Sequence, residues 1–155
     1  MTGVIRVGHC KMPNEFVSAA EGWIGTPYQH QASCKGAGAD CLGLLRGVWR
    51  EVIGEEPESI PAYSPDWSET DRVEHLMEAA MRWLTPVETA LCGDVLLFRM
   101  RQNAVAKHLA ILATGMGPEP KIIHAYSGRG VVLSPLTPAW ERRIVGKYRF
   151  PERRK

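Results

Sequence analysis

The spacing of apolar and polar positions divides the chain into a helical first half and a stranded second half. Residues 14–24, NEFVSAAEGWI, put Phe16, Val17, Ala20, Trp23 and Ile24 on one helical stripe, and Asn14 suits the N-cap. In a longer stripe, Cys41, Leu44, Leu45, Val48, Trp49, Val52 and Ile53 follow the i, i+3, i+4, i+7 rhythm, which predicts a helix buried on one broad face. Asp40 suits its N-cap, where a carboxylate accepts an orphan backbone N–H, and Gly54 suits its C′ position. Gly43 and Gly47 lie inside this helix, each costing about 1 kcal/mol relative to alanine. Their presence predicts another element packed very close on that side. A third helix is predicted over about 69–83, with Ser68 as cap and Val73, Leu76, Met77, Ala80 and Met81 facing inward.

Beyond Pro86 the rhythm shortens. DVLLFRM, HLAILAT, KIIHAYS, GVVLSPL and RIVGKYRF are short β-type runs separated by turn residues. GTPYQHQASCKGAGAD is a glycine-rich loop, and EEPESIPAYSPDW a Pro-rich crossing. Helices first and strands second predict an α+β fold, with the Cys41 helix packed on an antiparallel sheet. The 155 residues suit one domain, with its core at about 14–150.

Composition narrows the function classes. Nineteen Lys and Arg against seventeen Asp and Glu give a net charge of +2, which makes no case for nucleic acid as a partner. No apolar run approaches a membrane span, and the start of the chain has no signal-peptide h-region, so the protein is expected in the cytoplasm when made. Cys10, Cys34, Cys41 and Cys92 are accordingly expected as thiols. No C-x-x-C pair exists, and His30, Cys34 and Cys41 match no familiar zinc spacing, so a structural zinc site is not expected.

Cys41 is either a small apolar residue opening a buried helix or a nucleophile at a helix N-terminus. The second reading needs a histidine. His108 and His124 sit in two runs flanking the turn TGMGPEP, and a hairpin centred on residue 116 places them directly opposite, their Cβ atoms ~4.5–5.5 Å apart. His9, His30 and His75 have no such placement. A cysteine in an apolar helix is ordinarily packed core, and a histidine in a strand is ordinarily structural. Their coincidence with a glycine-rich approach favours a cysteine–histidine site. The helix start and a nearby cation would lower the thiol pKa from ~8.5 into the range ~3.5–7.5. Cys41 is thus expected to be modified ahead of the other three cysteines.

The blocks GWIGTPYQHQASCKGAGADCLGLLRGVWREVIG, CGDVLLFR, KHLAILAT, IIHAYSGRGVVLSPL and ERRIVGKYRF together resemble the NlpC-type (NlpC/p-sixty) cysteine peptidases over about residues 16–150. With leucine after the cysteine, the chain looks most like the branch found in phage tails and gene transfer agents. The resemblance implies a papain-like fold and a thiol protease that needs no metal or organic cofactor and acts on peptidoglycan stem peptides, often at the γ-D-glutamyl–diamino acid bond. It implies Cys41 as nucleophile, His108 as general base and His124 as the residue orienting His108. Tyr28, thirteen positions before Cys41, would help hold the oxyanion or anchor the loop. Asp40, Gly43, Gly93 and Asp94 match motif positions whose roles are structural. Leu42 departs from the commoner serine. The implied partners are peptidoglycan and the hub or distal proteins of a phage-like tail that carries the enzyme out of the cell. The competing readings are an amidase or acyltransferase of the same fold, and a non-catalytic tail component.

Overall fold

The computed structural model describes residues 14–57, 75–100, 106–115 and 118–151. The expected Ser68 cap, Val73 and most of the Pro-rich crossing lie outside the described residues, as does the side chain of Leu76. The first helix, α1 (Glu15–Glu21), starts where Asn14 accepts a hydrogen bond from the Val17 N–H, as its sequence predicts. It stops at Glu21, earlier than the apolar stripe suggested, with Gly22 as C-cap. Trp23 still reaches the core at 1% exposure, but Ile24 lies past the helix end and is exposed, which corrects its inward assignment.

The loop that follows contains a two-stranded ribbon, β1 (Ser33–Cys34) and β2 (Gly38–Ala39), which the sequence did not announce. It delivers the chain to α2 (Cys41–Val52). The Asp40 side chain caps this helix by accepting from the Gly43 N–H at 2.7 Å, and Gly54 adopts φ +135° just past its end. Both helical glycines have the close neighbours their cost predicted. A Cβ on Gly43 would run into the main-chain carbonyl of Ala32, and one on Gly47 into the indole of Trp23. A shorter helix, α3 (His75–Trp83), comes next. Ala80 is buried and Met77 packs on the core, but Met81 is exposed, because α3 meets the rest of the protein along a narrower stripe than was read.

The sheet contains β3 (Thr85–Pro86), β4 (Val95–Arg99), β5 (Ala106–Leu112), β6 (Lys121–Tyr126), β7 (Gly130–Pro135) and β8 (Ile144–Arg149), with a short helix α4 (Pro138–Glu141) before β8. Among the described residues its order is β3-β8-β4-β5-β6-β7, and all its recorded pairings are antiparallel. The fold is α+β. Alternation along the strands sends Val95, Leu97, Leu109, Ile111 and Ile123 towards α2, and Leu96, Phe98, Ala110, Leu112 and Ile122 to the other face. The near face buries Leu44, Val48 and Val52 of α2, and the far face is closed by Leu136 and Trp140. Each fully buried side chain of this size contributes roughly 1.5–3 kcal/mol, so the near face fixes where α2 lies.

Two irregularities break the central ladder at the same place. Phe98 pairs with His108 but Arg99 pairs with Ala106, which leaves Lys107 as an extra residue in β5. On the other side Leu97 pairs with Gly146 and Phe98 with Ile144, which leaves Val145 extra in β8. Such bulges bend a strand and raise its local twist. The outer edges are short or interrupted: β3 is two residues long and includes Pro86, and β7 ends in Pro135. The start of β7 is also tied to the loop after α1, with the Val131 N–H donating to Thr26 and the Gly25 N–H donating to Val131.

Candidate active site

Cys41 occupies the first position of α2, its place set by the Asp40 cap. The same carboxylate accepts from the Gln31 N–H at 2.7 Å and lies 3.8 Å from His30 Nδ1, so one aspartate ties the glycine-rich loop to the helix start. The Cys41 thiol donates to the Lys107 carbonyl across 3.8 Å, at the bulged residue immediately before His108. Backbone N–H groups of Leu109, Leu42 and Cys41 itself also address the sulfur. The nucleophile candidate therefore rests on the main chain on both sides of His108. Among the described residues, no hydrogen bond joins the thiol to the imidazole.

The two histidines do meet. His108 Nε2 and His124 Nδ1 are hydrogen-bonded across 2.9 Å. Their strand register is not the expected one, however. The recorded pairs are Ile111 with Ile123 and Leu112 with Ile122, so the hairpin is centred one residue later than 116. On that register His124 lies opposite Ala110, a diagonal step from His108. A change of centre by one residue offsets the pairing by two, which keeps both rings on one face.

Three further residues join the cluster, two of which sequence reasoning missed. Ser134 Oγ lies 2.7 Å from His124 Nε2, which extends the chain of contacts to His108–His124–Ser134. Trp140 of α4 packs against both imidazoles, with ring centroids 5.5 Å from His108 and 5.4 Å from His124. Tyr126 stacks on His124 at 5.6 Å. Strand alternation did place Tyr126 on the His124 face. Trp140 and Ser134 carry no motif signal, and only the tertiary fold brings them in.

Burial dominates the electrostatics. It pushes His108 down to about 3, helped by the neighbouring His124, and pushes His124 down to about 4. The Cys41 thiol is driven up to about 12, first by burial and then by the Asp40 carboxylate, with the backbone N–H groups acting the other way. The expectation of a depressed thiol pKa is corrected: the helix start is present, but among the described residues no cation offsets the desolvation of the half-buried Cys41. At neutral pH the resting thiol and both imidazoles are uncharged.

Tyr28 forms a parallel bridge to Ala39, two residues before Cys41. Burial, then Cys41 and Asp40, raise its hydroxyl to about 12, so it stays protonated and able to donate. Leu42, buried in the core, lines an apolar groove with Leu45, Trp49, Trp83, Leu84 and Leu109 next to the site. Asp94 and Gly93 are structural: Asp94 is buried, binds Arg149 through two 2.9 Å contacts and accepts from the Leu91 N–H. Cys34 and Cys41 are free thiols, but Cys92 is disulfide-bonded, which corrects the expectation of four thiols.

Among the described residues, no group of three or more His, Cys, Asp or Glu is arranged to hold a metal ion, and no helix is long and apolar enough to cross a membrane. No protein-family model matches the chain, and no curated protein matches it significantly.

Proposed function

We propose that the protein is a cysteine peptidase of the NlpC type, with a papain-like fold, that hydrolyses peptide bonds in peptidoglycan stem peptides. The observation that carries this reading is the seating of Cys41: a helix-start thiol set against the strand at His108, whose Nε2 is engaged by a second imidazole. The engaged Nε2 leaves Nδ1 as the nitrogen through which His108 acts. The thiol proton, given to the Lys107 carbonyl at rest, turns to His108 Nδ1 as Sγ attacks the substrate carbonyl. His108 belongs to the far face of the sheet, so this transfer requires the strand to bend at the Lys107 bulge and bring the ring to the thiol.

Because both partners are neutral at rest, proton transfer belongs to the attack step. A carbon–sulfur bond forms, and the developing oxyanion is met by backbone N–H groups at the helix start and by the Tyr28 hydroxyl. The carbon–nitrogen bond then breaks as the imidazolium gives its proton to the leaving amine. Water, losing a proton to His108, attacks the acyl-enzyme; the carbon–sulfur bond breaks and the thiol is restored. His124 orients His108 throughout.

The disulfide at Cys92 supports a working life outside a reducing cytoplasm. Carriage by a phage-like tail, assembled in the cytoplasm and docked on hub or distal tail proteins, accounts for such an enzyme reaching the cell wall. The test is to incubate the purified chain with peptidoglycan and analyse released peptides by mass spectrometry. New peptide termini with wild type but not with Cys41→Ala support the reading. Intact stem peptides in both favour the amidase, acyltransferase or non-catalytic alternatives.

A further inference from the structure

Two hydrogen bonds run in series through the imidazoles, from His108 Nε2 to His124 Nδ1 and from His124 Nε2 to Ser134 Oγ. A neutral imidazole carries one N–H and one lone pair. With both rings neutral, the pair of bonds can be filled in only two directions. Outward, His108 Nε2–H donates to His124 Nδ1, His124 Nε2–H donates to Ser134 Oγ, and His108 Nδ1 keeps its lone pair. Inward, the Ser134 hydroxyl donates to His124 Nε2, His124 Nδ1–H donates to His108 Nε2, and His108 Nδ1 carries a proton. Only the outward arrangement can take a proton from a thiol.

The geometry points to Ser134 as a positioning residue that sets this direction by accepting from His124 Nε2–H, an inference that rests on reading His108 as the general base. Ser134 lies on β7 two residues beyond Val132, the strand partner of His124, and so on the same face of the sheet. It is half-buried, so its oxygen faces the ring while its own hydrogen can reach solvent. The rings cannot easily turn to find another partner. Phe98 and Trp140 flank His108, and Tyr126 and Trp140 flank His124. Burial keeps both imidazoles unprotonated near pH 7, so the choice between two directions is the one that matters there. An alanine at 134 would leave a buried N–H without an acceptor, which favours moving the proton to Nδ1 of His124 and so reversing the chain.

The experiment is long-range nitrogen–proton NMR on the full chain with labelled histidine, for wild type, Ser134→Ala and Ser134→Thr, with turnover measured alongside. Wild type should show bare Nδ1 and protonated Nε2 on both His108 and His124. Ser134→Ala should populate the Nδ1–H form of His124 and lower kcat on the order of tenfold with KM little changed. Ser134→Thr, which restores the hydroxyl, should recover both readouts. A protonated Nδ1 on wild-type His108, or unchanged tautomers in a folded Ser134→Ala variant, overturns the assignment. The expected tautomer shifts in a chain that cleaves no peptidoglycan support the serine's role and overturn the peptidase reading instead.

Discussion

Gly43→Ala separates two effects of opposite sign. In an unobstructed helix the substitution stabilises by about 1 kcal/mol through propensity. Here the new Cβ meets the Ala32 carbonyl, which is main chain and cannot rotate aside, and it also comes within 3.1 Å of Asp40 Oδ1. Overpacking of this kind costs roughly 1–3 kcal/mol. Moving residue 43 away also stretches the 2.7 Å bond from its N–H to Asp40, and a lost cap costs typically about 1 kcal/mol. The balance is a net loss of about 1–3 kcal/mol, which lowers Tm by roughly 2–4 °C per kcal/mol in a chain of this size. The assay is thermal unfolding followed by circular dichroism, with turnover measured at a temperature where both proteins are folded. Activity should fall more than stability suggests, because Cys41 is two residues away on the displaced turn. A variant as stable as wild type or more so, with activity intact, would show that the loop yields freely and would refute the close approach as a constraint.

Three further outcomes follow from the site. His108→Ala should abolish peptide release while His124→Asn retains some, because an amide can still hold the imidazole; equal and complete loss in folded variants would remove the division of roles. With limiting iodoacetamide, exposed Cys34 should label before Cys41, which is half-buried and whose thiol is pushed up to about 12, and peptide mapping that finds Cys41 first would contradict the resting neutral thiol. Both histidines titrate lower in the folded than in the unfolded chain, where the value is about 6.5, so the unfolded state binds more protons below that pH. Stability should therefore decline as pH falls from about 6.5 towards the folded values, and acid titration of Tm should be shallower in a variant lacking both imidazoles.

Much of this arrangement was legible because it is local. The α2 stripe, the Asp40 cap and the two glycines each depend on neighbours within a turn or two, and periodicity registers them directly. Met81 and Ile24 were misplaced because a stripe shows which positions can face a core, not how far the core extends. The hairpin centre was misplaced because it was taken from the two histidines, whereas the recorded pairs Ile111–Ile123 and Leu112–Ile122 centre one residue later, on the middle position of TGMGPEP. Face alternation survived because the slip was even. The bulge at Lys107, the hydroxyl of Ser134 and the indole of Trp140 leave no trace in spacing, since each depends on strands and a helix brought together from far along the chain. Thiol acidity was misjudged for a related reason. A helix start is visible in sequence, but the desolvation that overrides it is a property of everything packed around the sulfur.

The short and proline-bearing edges of the sheet bear on how copies of this protein behave when crowded together. An open edge strand offers a row of unpaired N–H and C=O groups on which another chain can grow. Here one edge is a two-residue strand containing Pro86, and the other is pinned to the Thr26 loop at its start and closed by Pro135 at its end. Proline supplies no N–H for a ladder. The sheet is therefore a poor template for its own extension, and the protein should tolerate high local concentration without edge-to-edge polymerisation. An assembly built on the described sheet would rest instead on side-chain surfaces, where register is set by shape and charge and not by the indifferent repeat of the peptide backbone.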